Sequence, residues 1–237
     1  HRELQMSITG SGGSPKSYLA TSDKLGIHTL LPKEGPPGRG SIPLLPKEGP
    51  PGPLNLRPLT ILSVIYRIWA GIRASQLRDW QETWIHRSLH GGRAGHETLD
   101  GVFETNLDIE AAQLSGTNIF ILLLDYKKFF DSVIQEIVWG LATWWGMPQS
   151  IVGLPRGFYV ELTSVCNLNG HVGKPWRRTN SLAQGCSFSM MLVNLPVAAW
   201  ARAILHNIHH KAANISAYVD DKVIRTPSWE ILKKCSK

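Results

Sequence analysis

Three acidic residues stand where carboxylates are expensive to keep. Asp125 closes the apolar run 119–124, and Asp220-Asp221 fall at the turn expected between apolar segments 215–219 and 222–225. Acids between buried strands repel one another and lose hydration. A divalent cation removes both costs. Two strand-end acid sites side by side in one sheet would hold a pair of Mg²⁺ ions roughly 3.5–4 Å apart, the arrangement for in-line displacement at phosphorus. The competing reading is a solvated type I′ turn that uses Asp-Asp for its turn propensity. Spacing alone leaves both open.

Other groups point to blander roles. His206, His209 and His210 fall at i, i+3, i+4, but no further ligand is evident, so they read as a polar helix face. Cys186 has no evident basic partner and reads as a small packing residue. Lys127-Lys128 reads as a solvated pair. Trp69, Trp144 and Trp145 sit on apolar helical faces and are expected in the core rather than under nucleic-acid bases. The sequon Asn214-Ile215-Ser216 lies in an expected strand and is set aside.

The elements that must position these residues are legible from periodicity. Ile61, Val64, Ile65, Ile68, Trp69 and Ile72 recur at helical spacing, as do Leu99, Val102, Phe103 and Leu107. The glycine-rich run from His90 to His96 between them is a loop. Residues 118–125 read as a buried strand. A helix from about Ser132 carries Val133, Ile134, Ile137, Val138, Leu141, Trp144 and Trp145, and Gly146 and Pro148 stop it. Asn169-Gly170 predicts a hairpin between strands 163–168 and 171–176, and 190–206 is helical in texture. Helices mixed with antiparallel pairs make the class α+β.

Composition bounds the rest. The chain has 237 residues, 43% hydrophobic and 18% charged, which supports a sizeable core and excludes disorder throughout. Three cysteines (Cys166, Cys186, Cys235) are too few for a disulfide framework or a cysteine zinc site. No apolar run reaches the roughly 18 residues of a membrane span, and no signal peptide is evident, so no membrane partner is expected. A net charge of +7 favours a polyanionic partner. Ten of the 15 prolines lie in the first 60 residues, so most of 1–43 is expected to be poorly ordered. There Leu-Leu-Pro-Lys-Glu-Gly-Pro-Pro-Gly occurs at 30–38 and again at 44–52, a tandem duplication. The chain opens on His1, which suggests a fragment of something longer.

Several segments resemble reverse transcriptases. Ala217-Tyr218-Val219-Asp220-Asp221 looks like their motif C. Leu124-Asp125-Tyr126-Lys127-Lys128-Phe129-Phe130-Asp131 resembles motif A, and Gln184-Gly185-Cys186-Ser187-Phe188-Ser189 resembles motif B. Arg57-Pro58-Leu59-Thr60 resembles the fingers motif and Gly92-Arg93-Ala94-Gly95 the glycine-rich loop after it. All five come in the family's order, and the look is that of retroelement enzymes of the non-long-terminal-repeat or group II type. The resemblance implies a polymerase palm, an antiparallel sheet flanked by helices, with partial fingers and no thumb. Fingers would span 44–117 and palm 118–237.

The resemblance also implies roles by position. Asp125 and Asp220 would be the principal ligands of two Mg²⁺ ions, which Mn²⁺ could replace, and Asp221 the third acid. Tyr126, Phe129 and the backbone after Asp125 would cradle the triphosphate, with Phe130 beneath the sugar. Gln184 and Gly185 would meet the nucleotide and template. Arg57 and Lys47 would neutralise phosphates from the fingers, and Arg93 and Tyr218 would contact template or primer. Phe129 departs from the family where a small residue is usual, as do Ser187 and Met190 where proline is frequent, and Pro155 interrupts a stretch expected to be helical. The implied activity is reverse transcription: transfer from a deoxynucleoside triphosphate to a DNA primer on an RNA or DNA template. The alternative is a decayed or truncated copy that keeps the fold and binds nucleic acid without catalysis. By loop closure, copy 44–47 of the duplication is expected to pair with the Arg57 strand, leaving 30–33 peripheral.

Overall fold

The structure, a computed structural model, describes residues 25–32, 56–126, 128–168, 171–208 and 213–235. In chain order the elements are β1 (Leu25–Pro32), β2 (Leu56–Ile61), α1 (Val64–Gln76), α2 (Arg78–Trp84), α3 (Thr98–Ser115), β3 (Phe120–Asp125) and α4 (Phe129–Ser132). There follow α5 (Gln135–Trp144), α6 (Gln149–Glu161), β4 (Thr163–Leu168), β5 (His171–Val172), β6 (Trp176–Arg177), α7 (Ser187–Ile208), β7 (Asn214–Tyr218), β8 (Asp221–Thr226) and α8 (Trp229–Cys235). The class is α+β.

Two sheets carry the molecule. The first runs β3-β8-β7, antiparallel throughout, and the second runs β2-β1-β4-β5 with β6 also on β4. Between the helices lies a core of large side chains: Tyr66 stacks on Phe158 at 3.6 Å between ring centroids, and Trp69 lies beside Phe188. Helix α7 runs through this core. Its hydropathy (1.5) and length would suit a membrane span, contrary to the reading of the bare sequence, but 61% of the apolar window is buried inside the molecule. Its apolarity serves packing here.

The duplicated segment behaves against expectation. β1 comes from the first copy and pairs antiparallel with β2, Leu30 opposite Pro58 and Leu31 opposite Arg57. The same strand pairs parallel with β4, from Leu25 opposite Thr163 to Thr29 opposite Asn167. A segment expected to be poorly ordered thus supplies a central strand, and copy 44–47 lies outside the described residues. The sequences preceding the two copies differ. Leu25-Gly26-Ile27-His28-Thr29 extends the first into a long strand; Arg39-Gly40-Ser41-Ile42-Pro43 stands at the matching positions of the second. Glycine is common to both (Gly26, Gly40), whereas Pro43 lacks the N–H that Thr29 carries. A longer loop costs only about 0.6 kcal/mol per doubling, too little to decide.

Periodicity located helices better than their faces. α1 buries Tyr66, Trp69 and Ala70 and leaves Val64, Ile65, Ile68 and Ile72 exposed; α3 leaves Leu99, Val102, Phe103 and Leu107 exposed. Trp144, expected in the core, is 66% exposed, with the Arg202 guanidinium 5.6 Å from its ring centre. Pro155 is accommodated inside α6, and Pro196 likewise inside α7. The expected hairpin forms, with Leu168 opposite His171, although its second strand is broken into β5 and β6.

Candidate active site

Strand register brings the acids together. In the β3–β8 pair Asp125 lies directly opposite Asp221, so the two share one sheet face at the same strand ends. Tyr218 pairs with Asp221, which makes Val219-Asp220 the two-residue turn and Asp221 the first residue of β8. The tip therefore falls one residue earlier than expected. Its type differs too. Val219 has φ +59° and Asp220 has no positive φ, a type II′ pattern, whereas type I′ needs positive φ at both. A β-branched residue in left-handed backbone is strained. Packing holds it there: Val219 is buried, and the adjoining strand is clamped by His90 N–H donating to the Ala217 carbonyl (2.8 Å) and Ala217 N–H to the Ser88 carbonyl (2.9 Å). Desolvation, then Asp220, then Asp125 push the Asp221 carboxyl above its usual range.

Lys222, immediately after this acid, is buried, and its ammonium has no hydrogen-bond partner. It sits 3.8 Å from the ring centre of Tyr126, 4.3 Å from that of Phe129 and 5.7 Å from that of Trp200. Burial pulls its pKa from 10.5 down to about 8, with Asp220 and Asp221 opposing the drop. The unfolded chain therefore holds this proton over a range where the folded chain has lost it, and stability rises with pH between about 8 and 10.5. We expect thermal melts of the metal-free wild type to climb across that window. Lys222→Met keeps the stem, removes the charge and should flatten this rise, with about 1–3 kcal/mol more stability at pH 7. A wild-type melt that is level or falling from pH 8 to 10 would contradict the assignment.

Motifs A and B meet at a cavity of about 420 Å³ lined by Phe130, Ala183, Gln184, Gly185, Cys186, Ser187, Ser189 and Met190. The two phenylalanines divide their duties: Phe129 faces Lys222 and Tyr126, and Phe130 faces the cavity. The division arises on the single turn α4 rather than on the extended segment the sequence suggested. Gly185 has φ +106°, which favours glycine at that position. Tyr159 braces the floor, sharing a hydrogen bond with Ser189 Oγ (2.7 Å) and accepting one from Ala183 N–H (3.1 Å). Thr60 N–H donates to the Gln184 carbonyl (2.8 Å), so the strand bearing Arg57 is tied to motif B. Lys47 lies outside the described residues.

Arg93 goes elsewhere than expected. Its side chain is only 7% exposed and pairs through two nitrogens with Glu82, while Nη1 donates to the Leu89 carbonyl (2.9 Å) and the Arg87 carbonyl (3.1 Å). A five-donor fork suits a tight turn rich in free carbonyls. It organises the glycine-rich loop instead of facing a template, and it holds the Glu82 carboxyl below its usual range. Sequence reading also missed the braces of this site. Asn194, buried on α7, donates to the Gly91 carbonyl (2.8 Å). Arg225, 3% exposed on β8, reaches Asp108 (2.7 Å), Thr105 (2.6 Å) and Ser216 (2.7 Å), bolting α3 to the palm sheet. The partners lie too far apart in sequence for spacing to reveal them; a lone arginine in an apolar strand was the available signal.

Residues 45–237 match the reverse transcriptase (RNA-dependent DNA polymerase) family. No curated protein matches. Among solved structures, apo telomerase from Candida tropicalis superposes with a TM-score of 0.63 at 13% identity, covering 95% of this chain and 42% of that one. A form of that enzyme truncated from its C-terminal domain gives 0.60 at 13%, covering 93% and 47%. Telomerase from Candida albicans, in complex with a fragment of telomeric RNA, gives 0.55 at 14%, covering 91% and 39%. The likeness is one of fold, and the chain spans less than half the length of these structures.

Proposed function

The chain belongs to the reverse transcriptase (RNA-dependent DNA polymerase) family, and on that premise we propose that it carries the fingers and palm of a retroelement-type enzyme that extends a DNA primer on an RNA or DNA template. The observation that carries this reading is the register placing Asp125 opposite Asp221 beside the Val219-Asp220 turn. An exposed edge of hard oxygen donors, whose mutual repulsion Lys222 only partly offsets, fits Mg²⁺. When bound, a pair of such ions would activate the primer hydroxyl and neutralise the leaving pyrophosphate. Asp125 and Asp220 would hold them, with Asp221 completing the charge.

The remaining roles belong to side chains and backbone of the two motifs. Phe130, Gln184 and Gly185 together line a cavity of suitable size for a nucleoside, which supports sugar and base binding there. Tyr126 lies at the exposed end of β3, and Tyr218 enters the turn; their proposed contacts are with triphosphate and primer. Arg57, on the strand tied to Gln184, would meet the outer phosphates. The net charge of +7 supports a nucleic-acid partner.

Primer extension on an RNA template tests the reading. Incorporation should require a divalent cation and stop on chelation. Phe130→Ala should admit ribonucleotides, because a filled site rejects the extra hydroxyl by about 1–3 kcal/mol, roughly 5- to 200-fold. Phe129→Ala should leave sugar preference intact. Unchanged discrimination in Phe130→Ala would refute the gate, and extension independent of divalent metal would refute the function.

A further inference from the structure

A second cluster of ligating groups lies on the far side of the motif C strand. His90 Nδ1 is 3.0 Å from His96 Nδ1, and each is 3.9 Å from Asp100 Oδ2. Among the described residues this is the one His/Cys/Asp/Glu trio whose ligand atoms all lie within 4.8 Å of one another. A point in their plane is about 2.1 Å from each, the length of Zn–N and Zn–O bonds, and the roughly 3.4 Å spacing of a tetrahedral ion's ligands is reached by shifts of about 0.5 Å or less. We propose that His90, His96 and Asp100 bind one divalent transition-metal ion of the zinc class, with a fourth position open to water.

The proton arrangement supports an ion. Two ring nitrogens 3.0 Å apart need either a proton between them or a cation accepting both lone pairs. With an ion bound, each Nε2 carries a hydrogen. His90 Nε2 is buried without a hydrogen-bond partner, and Glu104 Oε1 lies 3.4 Å away. A small rotation of the ring would complete the carboxylate–histidine–metal hydrogen bond that orients a ligating imidazole. Asp100 is oriented in turn, its Oδ2 accepting Glu97 N–H at 2.7 Å in the capping box that opens α3. His96 and Asp100 are partly exposed, which gives an ion entry. The donor set, two imidazoles and one carboxylate, suits Zn²⁺ better than Mg²⁺.

Bound there, the ion would join α3 to the loop whose His90 N–H grips the Ala217 carbonyl, three residues before Asp220. It would brace motif C from behind and take no part in phosphoryl transfer, so it stands or falls apart from the proposed polymerase activity. The test is calorimetric titration of the chelator-stripped chain with Zn²⁺, repeated with Co²⁺ and read by visible absorption. We expect one equivalent to bind, with a melting point raised by ~5–10 °C at 100 times the dissociation constant. His96→Ala and Asp100→Asn should each weaken binding at least tenfold, and Glu104→Gln by about 10- to 100-fold. His206→Ala/His210→Ala, which alters the other histidine cluster, should leave it unchanged. Failure of the folded wild type to bind Zn²⁺, or binding undiminished in both His96→Ala and Asp100→Asn, would overturn the site.

Discussion

Asp220→Asn should cut primer extension by a factor of about 10³ or more while leaving the stability of the metal-free protein nearly unchanged. Both outcomes follow from the charges around the turn. Desolvation and the neighbouring charges of Asp220 and Asp125 raise the Asp221 carboxyl, so the fold resists the ionised form. Stability is therefore greater while Asp221 is protonated and declines as pH rises through its elevated pKa. At neutral pH the metal-free protein carries that repulsion. Removing the Asp220 charge relieves part of it but also takes an attraction away from the buried Lys222 ammonium, so the two effects offset each other to within about 1–3 °C in melting temperature. The same change deletes a proposed metal ligand, for which hydrogen bonding by an amide is no substitute. Added Mg²⁺ should stabilise the wild type and do much less for the variant. Melts with and without Mg²⁺, beside primer-extension rates, decide the matter. A variant that is both less stable and still active would separate this edge from catalysis.

How much was readable beforehand follows the range of each interaction. β3, β7 and β8 announce themselves because apolar runs bounded by acids and turns are local patterns, and motif order placed their acids in one site. The hairpin tip was misplaced by one residue because Asp-Asp is a better turn pair than Val-Asp by propensity; Val219 takes the strained position because burial outweighs it. The stripes on α1 and α3 revealed helices, yet a stripe cannot say which face is covered, and Tyr66 and Trp69 won the core. Arg93 looked like a nucleic-acid contact because its carbonyl partners are backbone atoms, invisible in side-chain spacing. Lys222 drew no separate reading, and only the aromatic rings of Tyr126, Phe129 and Trp200 around it mark it as a buried charge. His90 and His96 read as loop punctuation because Asp100 belongs to the next element.

Gly91→Ala tests whether motif C is positioned from behind, and we expect it to lower the rate of primer extension by about 100-fold. Gly91 is buried, and its φ is one that other residues adopt, so the obstacle is space alone. A Cβ there would lie 2.7 Å from Val219 Cγ2 and 2.8 Å from Val219 N. The first contact could be relieved by a side-chain adjustment. The second involves backbone of the two-residue turn, and moving it moves Asp220. Asn194 and the His90–Ala217 hydrogen bond hold Gly91 in place, so the loop cannot simply retreat. Overpacking of this kind should also cost about 1–3 kcal/mol of stability. Gly140→Ala is the matched control: it lies inside α5 with nothing within 4 Å of the new methyl, so it should stabilise by up to ~1 kcal/mol and leave the rate alone. Adding Val219→Ala to Gly91→Ala separates the two contacts. It removes Cγ2 and leaves the nitrogen, so recovery should be partial at most. Full recovery of rate in the double variant would show that the side chain alone was the obstacle, and that the turn's backbone is not what the loop positions.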